Sequence, residues 1–103
     1  MSEARNRRFV YGRRQGHRLH PRQALLVEEL LPKVRFDLSQ ADHLAACFER
    51  PAERYVLEIG FGGGEHLAAR ALSAPDTGYI GCEPFLNGVA KLLLAVSEND
   101  IGN

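Results

Sequence analysis

The chain has 103 residues, 45% hydrophobic and 25% charged, which is the make-up of one ordinary globular domain with a modest core. Apolar runs such as Leu92 to Val96 fall far short of the roughly 20 residues a membrane span needs, and no apolar run follows the Arg-rich start, so a cytoplasmic protein without a membrane segment is expected. The formal net charge of zero conceals a polarity: Arg5, Arg7, Arg8, Arg13, Arg14, Arg18 and Arg22 face only Glu3 across the first 22 residues, leaving the rest of the chain acidic. Such a segregated basic segment answers to a polyanion, nucleic acid being the commonest, or else is a solvated tail.

In chain order, residues 1–20 read as a basic, flexible arm, with Phe9 and Tyr11 among the arginines and no period that would bury a face. Residues 21–103 then read as one α/β domain with leading helices. Pro21 suits the first turn of a helix carrying Leu25, Leu26, Val27, Leu30 and Leu31, which Pro32 is expected to end and which could pack on the domain behind it. Ser39 is the expected N-cap of a second short helix holding Leu44, Ala45, Cys47 and Phe48, closed by Pro51. Tyr55 to Ile59 predicts a strand, Gly60 to Gly64 a loop, and Glu65 to Ser73 a helix. A turn over Ala74 to Gly78 leads to a second strand, Tyr79 to Cys82, after which Pro84 begins a helix with Val89, Leu92, Leu93 and Val96. A βαβα run implies a parallel sheet with right-handed crossovers. Cys47 and Cys82 have no partner at C-x-x-C spacing, so two reduced, buried thiols are expected rather than a zinc or redox site.

Gly60, Gly62 and Gly64 alternate where the chain must turn out of the strand and admit a ligand to backbone without a Cβ. The following helix presents its free N–H groups there. The dinucleotide pattern G-x-G-x-x-G is incomplete, since Glu65 occupies the last glycine's place. Glu58 stands two residues before the loop, and the spelling Glu58-x-Gly60-x-Gly62-x-Gly64 resembles the first motif of Rossmann-like methyltransferases, whose ligand is a sulfonium cation. Glu83 follows the second strand, where an acid can accept both ribose hydroxyls of an adenosine. Ordinary solvated strand-end carboxylates and a ligand-free tight turn are the plainer alternatives.

The string Leu57-Glu58-Ile59-Gly60-Phe61-Gly62-Gly63-Gly64-Glu65-His66, followed by Gly81-Cys82-Glu83-Pro84-Phe85, resembles the bacterial tRNA (guanine-N7)-methyltransferase family. Tyr11-Gly12-Arg13-Arg14 through Arg22-Gln23 is similar to that family's basic lead-in. The resemblance implies the N-terminal part of a Rossmann-like fold that binds S-adenosyl-L-methionine through Glu58, Glu83 and the loop glycines Gly60, Gly62 and Gly64. The family's members continue with more strands, further acids and an Asp-Pro-Trp-type segment that shapes the guanine site. A truncated chain, with half a cofactor site and little activity alone, is therefore expected.

Guanine N7 offers a lone pair with no proton to remove, so no catalytic acid or base is assigned, and His66 reads as a packed or surface histidine. His17, His20 and His43 are scattered, and no metal site is expected. Arg13, Arg14 and Arg18 are the candidate RNA contacts, gripping phosphates of tRNA while Phe9 or Tyr11 stacks on a base or packs on the domain. Two other readings stay open: a small RNA-binding module with a remnant cofactor loop, and a different methyltransferase on the same scaffold. An open sheet edge also predicts self-association.

Overall fold

A computed structural model describes residues 16–103. Phe9, Tyr11, Arg13 and Arg14 lie outside the described residues, whereas Arg18 lies within them. Helix α1 spans Pro21–Glu29 with proline in its first turn, where no N–H is needed. Gln23 Oε1 accepts from the His20 N–H at 3.2 Å and so covers the helix entrance. The chain stays helical through Leu30 into a one-turn helix, α2, Leu31–Val34. Pro32 thus sits in the first turn of α2 instead of ending the helical path, because a missing N–H is tolerated there.

The next segment departs from expectation. Leu38–Cys47 is helical in the 3-10 form, broken at His43, with none of its residues buried. Its cap is Asp37, whose Oδ1 accepts from the Ser39 N–H at 2.9 Å, so Ser39 lies inside the turn that it was expected to cap. A 3-10 path stacks side chains poorly and survives in short pieces.

Strands β1 (Arg54–Ile59) and β2 (Thr77–Cys82) pair in parallel, from Arg54 opposite Thr77 to Ile59 opposite Cys82. Their ladder is prolonged at both ends, by Glu53 N–H to Asp76 O at 2.7 Å and Gly60 N–H to Cys82 O at 2.7 Å. Between them runs α3, Glu65–Ser73, and after β2 comes α4, Leu86–Glu98. Helix α4 starts two residues later than Pro84 suggested, with Phe85 as its N-cap. Its C-terminus closes on Asp100 at φ 51°, where the Ile101 N–H returns to Val96 O at 3.0 Å. Asn103 then lies beside β2: its carbonyl accepts from the Tyr79 N–H at 2.8 Å, and its Nδ2 donates to Ala71 O, Ala74 O and Thr77 O at 2.9–3.0 Å.

The buried apolar side chains are Leu26 of α1, Leu67, Ala68 and Ala71 of α3, and Ala90 and Leu93 of α4. Helix α1 lies against α4, and α3 against both α4 and β2. Alternation places Val56 and Glu58 on the sheet face beneath α3, and Leu57 and Ile59 on the other face, where they are 59% and 77% exposed. The chain is therefore a mixed α/β structure built on a parallel two-stranded sheet with α3 on one face and Phe48 against Tyr55 on the other. Cys47 and Cys82 are both exposed, contrary to the buried thiols expected, because Cys47 sits in the unburied 3-10 segment and Cys82 at the open end of β2.

Candidate functional site

The glycine loop leaves the C-terminal end of β1 and rises into α3. Gly60, Gly62 and Gly64 take φ values of 75°, 64° and 82°, a left-handed conformation that other residues rarely adopt. Above Gly60 and Gly62 there is open space, with no heavy atom within 4 Å of where a Cβ would stand. Gly64 is different, since a Cβ there would lie 2.8 Å from Leu92 Cδ1 of α4. Two glycines therefore leave the loop surface bare, and the third lets α3 and α4 close together.

Glu83 is tied to this loop directly. Its Oε1 accepts from the Gly62 N–H at 2.7 Å and its Oε2 from the Phe85 N–H at 3.2 Å. One carboxylate thus links the middle of the loop to the entrance of α4, and each oxygen keeps a lone pair for a further donor. Gly88, in the first turn of α4, completes the arrangement: it is buried, and a Cβ there would run into the Gly62 carbonyl oxygen. The Gly62 N–H is thus held by Glu83, and its carbonyl occupies space that Gly88 leaves open by lacking a Cβ.

Glu58 stands apart from this cluster, on the face beneath α3. Its Oε1 lies 3.6 Å from Arg70 Nη1, an ion pair without hydrogen-bond geometry, so this buried oxygen accepts no hydrogen bond. Arg70 in turn stacks over the Tyr79 ring at 5.7 Å. The structure thus brings together Gly60, Gly62, Gly64 and Glu83, and leaves Glu58 facing a cation of its own chain.

Glu65 opens α3 with a carboxylate over the helix entrance. Its own backbone N–H, and then Lys91 at 3.4 Å, hold its carboxyl below the ordinary carboxylate range. Arg18 lies elsewhere, in a recess of about 290 Å³ lined also by His17, His20, Gln23, Asn87 and Lys91. No group of three or more metal-ligating side chains occurs among the described residues, and no described helix is long and apolar enough to cross a membrane.

Sequence reasoning does not single out Gly88, which shapes the loop site, Arg70, which pairs with Glu58, or Asn87, which lines the recess around Arg18. A glycine in an otherwise apolar helix start was the available signal for Gly88, since such a residue marks close backbone approach. Nothing in the spacing of Arg70 or Asn87 marked them.

A parallel strand pair with a glycine loop at its C-terminal end, followed by a helix, defines an α/β class. The methyltransferase family described as "Putative methyltransferase" matches residues 52–103, which contain both strands, the loop, α3 and α4, and the chain belongs to it. Among curated proteins the chain is similar to the tRNA (guanine-N(7)-)-methyltransferase of Nitrobacter hamburgensis, 52% identical over 95 residues that cover 90% of this chain and 37% of that protein. It is likewise similar to those of Zymomonas mobilis, 52% identical over 98 residues (93% of this chain, 41% of that one), and Rhodopseudomonas palustris strain BisA53, 49% over 105 residues (99% and 42%). The chain thus spans 37–42% of the length of these three relatives. No solved structure matches it.

Proposed function

We propose that the glycine loop and its glutamates form the S-adenosyl-L-methionine-binding part of a tRNA (guanine-N7)-methyltransferase of Rossmann-like fold, with residues 1–20 as an RNA-gripping arm and 21–103 as part of the catalytic domain. The observation that carries this reading is the Glu83 carboxylate bound to the Gly62 N–H, an acid set at the mouth of a bare loop. The residues fit the cofactor. Glu83 has lone pairs left for ribose hydroxyls, and Gly60 and Gly62 leave space for close approach, whereas Glu58 Oε1 is buried beside Arg70.

A nicotinamide dinucleotide fits less well. Its pyrophosphate would seat at the α3 entrance, where the Glu65 carboxylate already stands and would repel it. When bound, S-adenosylmethionine supplies an electrophilic methyl group on a sulfonium. Because guanine N7 accepts it through a lone pair, this chain's residues need only hold and orient their ligand, with no acid or base assigned. The names of the relatives support tRNA as the substrate, which would set the work in the cytoplasm. Arg13, Arg14 and Arg18 would contact its phosphates.

Equilibrium dialysis against S-adenosylhomocysteine and NADH, together with filter binding of tRNA over a salt series, tests the proposal. Retention of S-adenosylhomocysteine in preference to NADH is expected, with tRNA affinity falling steeply as salt rises. Preference for NADH, or tRNA affinity indifferent to salt, would overturn it.

A further inference from the structure

The segment Glu83 to Gly88 serves two clients. Glu83 accepts from the Gly62 N–H of the loop, and Gly88 leaves room for the Gly62 carbonyl. Asn87, adjacent to Gly88 in sequence, holds the end of the basic arm instead: its Oδ1 accepts from the Gly16 N–H at 2.7 Å and its Nδ2 donates to the His17 carbonyl at 2.9 Å. These bonds bridge 71 and 70 residues of sequence and engage main-chain atoms at the two ends of the Gly16–His17 pair, so they fix the backbone of those two residues and not merely a side chain. Phe85 contributes to the same seat, since a Cβ on Gly16 would stand 3.0 Å from Phe85 Cζ. Phe85 is also the residue whose N–H Glu83 accepts, at 3.2 Å. The two sets of contacts therefore meet on one turn of backbone. Arg18 follows immediately after the clamped residues and lines the recess beside Asn87.

We propose that Asn87 is a positioning residue that seats the arm on the segment supporting the cofactor loop, so that RNA held by the arm and cofactor held by the loop bind cooperatively. This rests on the reading under Proposed function. An RNA that fixes the arm fixes the start of α4 through Asn87, and with it the Gly88 contact and the Glu83 bonds that shape the loop around Gly62. A ligand that settles on the loop favours the same arrangement from the other end. Linkage requires the two effects to be equal in free energy, so either ligand reports on the coupling.

The test is the affinity of the 103-residue chain for S-adenosylhomocysteine, measured calorimetrically with and without a saturating unmodified tRNA transcript. In the wild-type chain tRNA should tighten binding about five-fold or more. In Asn87→Ala the ratio of the two affinities should fall close to one, whatever the variant's affinity without RNA. A purely structural asparagine would lower the melting temperature and leave that ratio at its wild-type value, and this result would overturn the proposal, as would a wild-type ratio of one. If Asn87→Ala does not melt cooperatively, Asn87→Asp carries the comparison: it keeps the acceptor for Gly16 and loses the donor to His17, so a reduced ratio is expected and an undiminished one overturns. A wild-type chain that binds neither ligand sinks the underlying methyltransferase reading instead, which is a separate outcome.

Discussion

At the scale of single residues, the loop's glycines are needed for different reasons, and substitution separates them. Gly60→Ala meets no neighbour but must hold φ 75°, a strain of about 1–2 kcal/mol. Gly88→Ala drives a methyl group into the Gly62 carbonyl, costing about 1–3 kcal/mol as overpacking and weakening S-adenosylhomocysteine binding by displacing the loop. Gly102→Ala, which meets nothing within 4 Å, should change neither, and urea denaturation with calorimetry on the three variants reads the difference. Glu65 and Asp37 both have carboxyls held below the ordinary range, Asp37 by the Ser39 backbone N–H above all. Below the unfolded pKa the unfolded chain binds the extra protons, so their contribution is complete above that pKa and is lost as pH falls through the folded values. The melting temperature should therefore drop below about pH 4, and Glu65→Gln should make that drop shallower.

At the scale of elements, the small core gives α1 its place. Leu26 is 9% exposed where α1 meets α4, whereas Leu25 is 46% exposed. Leu26→Ala should cost about 2–3 kcal/mol in urea denaturation, and Leu25→Ala well under about 1 kcal/mol. The apolar stripe on α1 was readable from its spacing, but not which of its leucines meets α4, because that depends on a helix some 60 residues away, beginning at Leu86. The first strand and α3 are legible nearly to the residue, since an apolar run broken by alternating glycines leaves few paths for the backbone, but β2 begins at Thr77, two residues before the expected Tyr79, because pairing with Arg54 and Tyr55 draws Thr77 and Gly78 out of the turn. The short helix after Asp37 is legible in the sequence, but not its cap, because Asp37 competes with Ser39 for the same turn and the two differ only in which side-chain oxygen reaches the free N–H. In the site, the positions of Gly60, Gly62, Gly64 and Glu83 followed from motif spacing. The Glu83 bonds to Gly62 and Phe85, the Glu58 ion pair with Arg70, and the exposure of Cys47 and Cys82 did not, because each is set by packing between segments.

At the scale of the whole chain, α3 covers one sheet face, while Leu57 and Ile59 are largely exposed on the other. Sedimentation velocity should show concentration-dependent association that Leu57→Lys weakens, and a monodisperse wild-type chain at all concentrations would contradict it. The central claim is that the acid at the end of β2 and the loop it holds form one cofactor site. Calorimetric titration of S-adenosylhomocysteine into the wild-type chain and into Glu83→Ala tests it most directly. The account predicts saturable binding that the substitution weakens at least about ten-fold, since hydrogen bonds to a charged acceptor are lost. Equal affinity in both chains, with Glu83→Ala still folded, would contradict it.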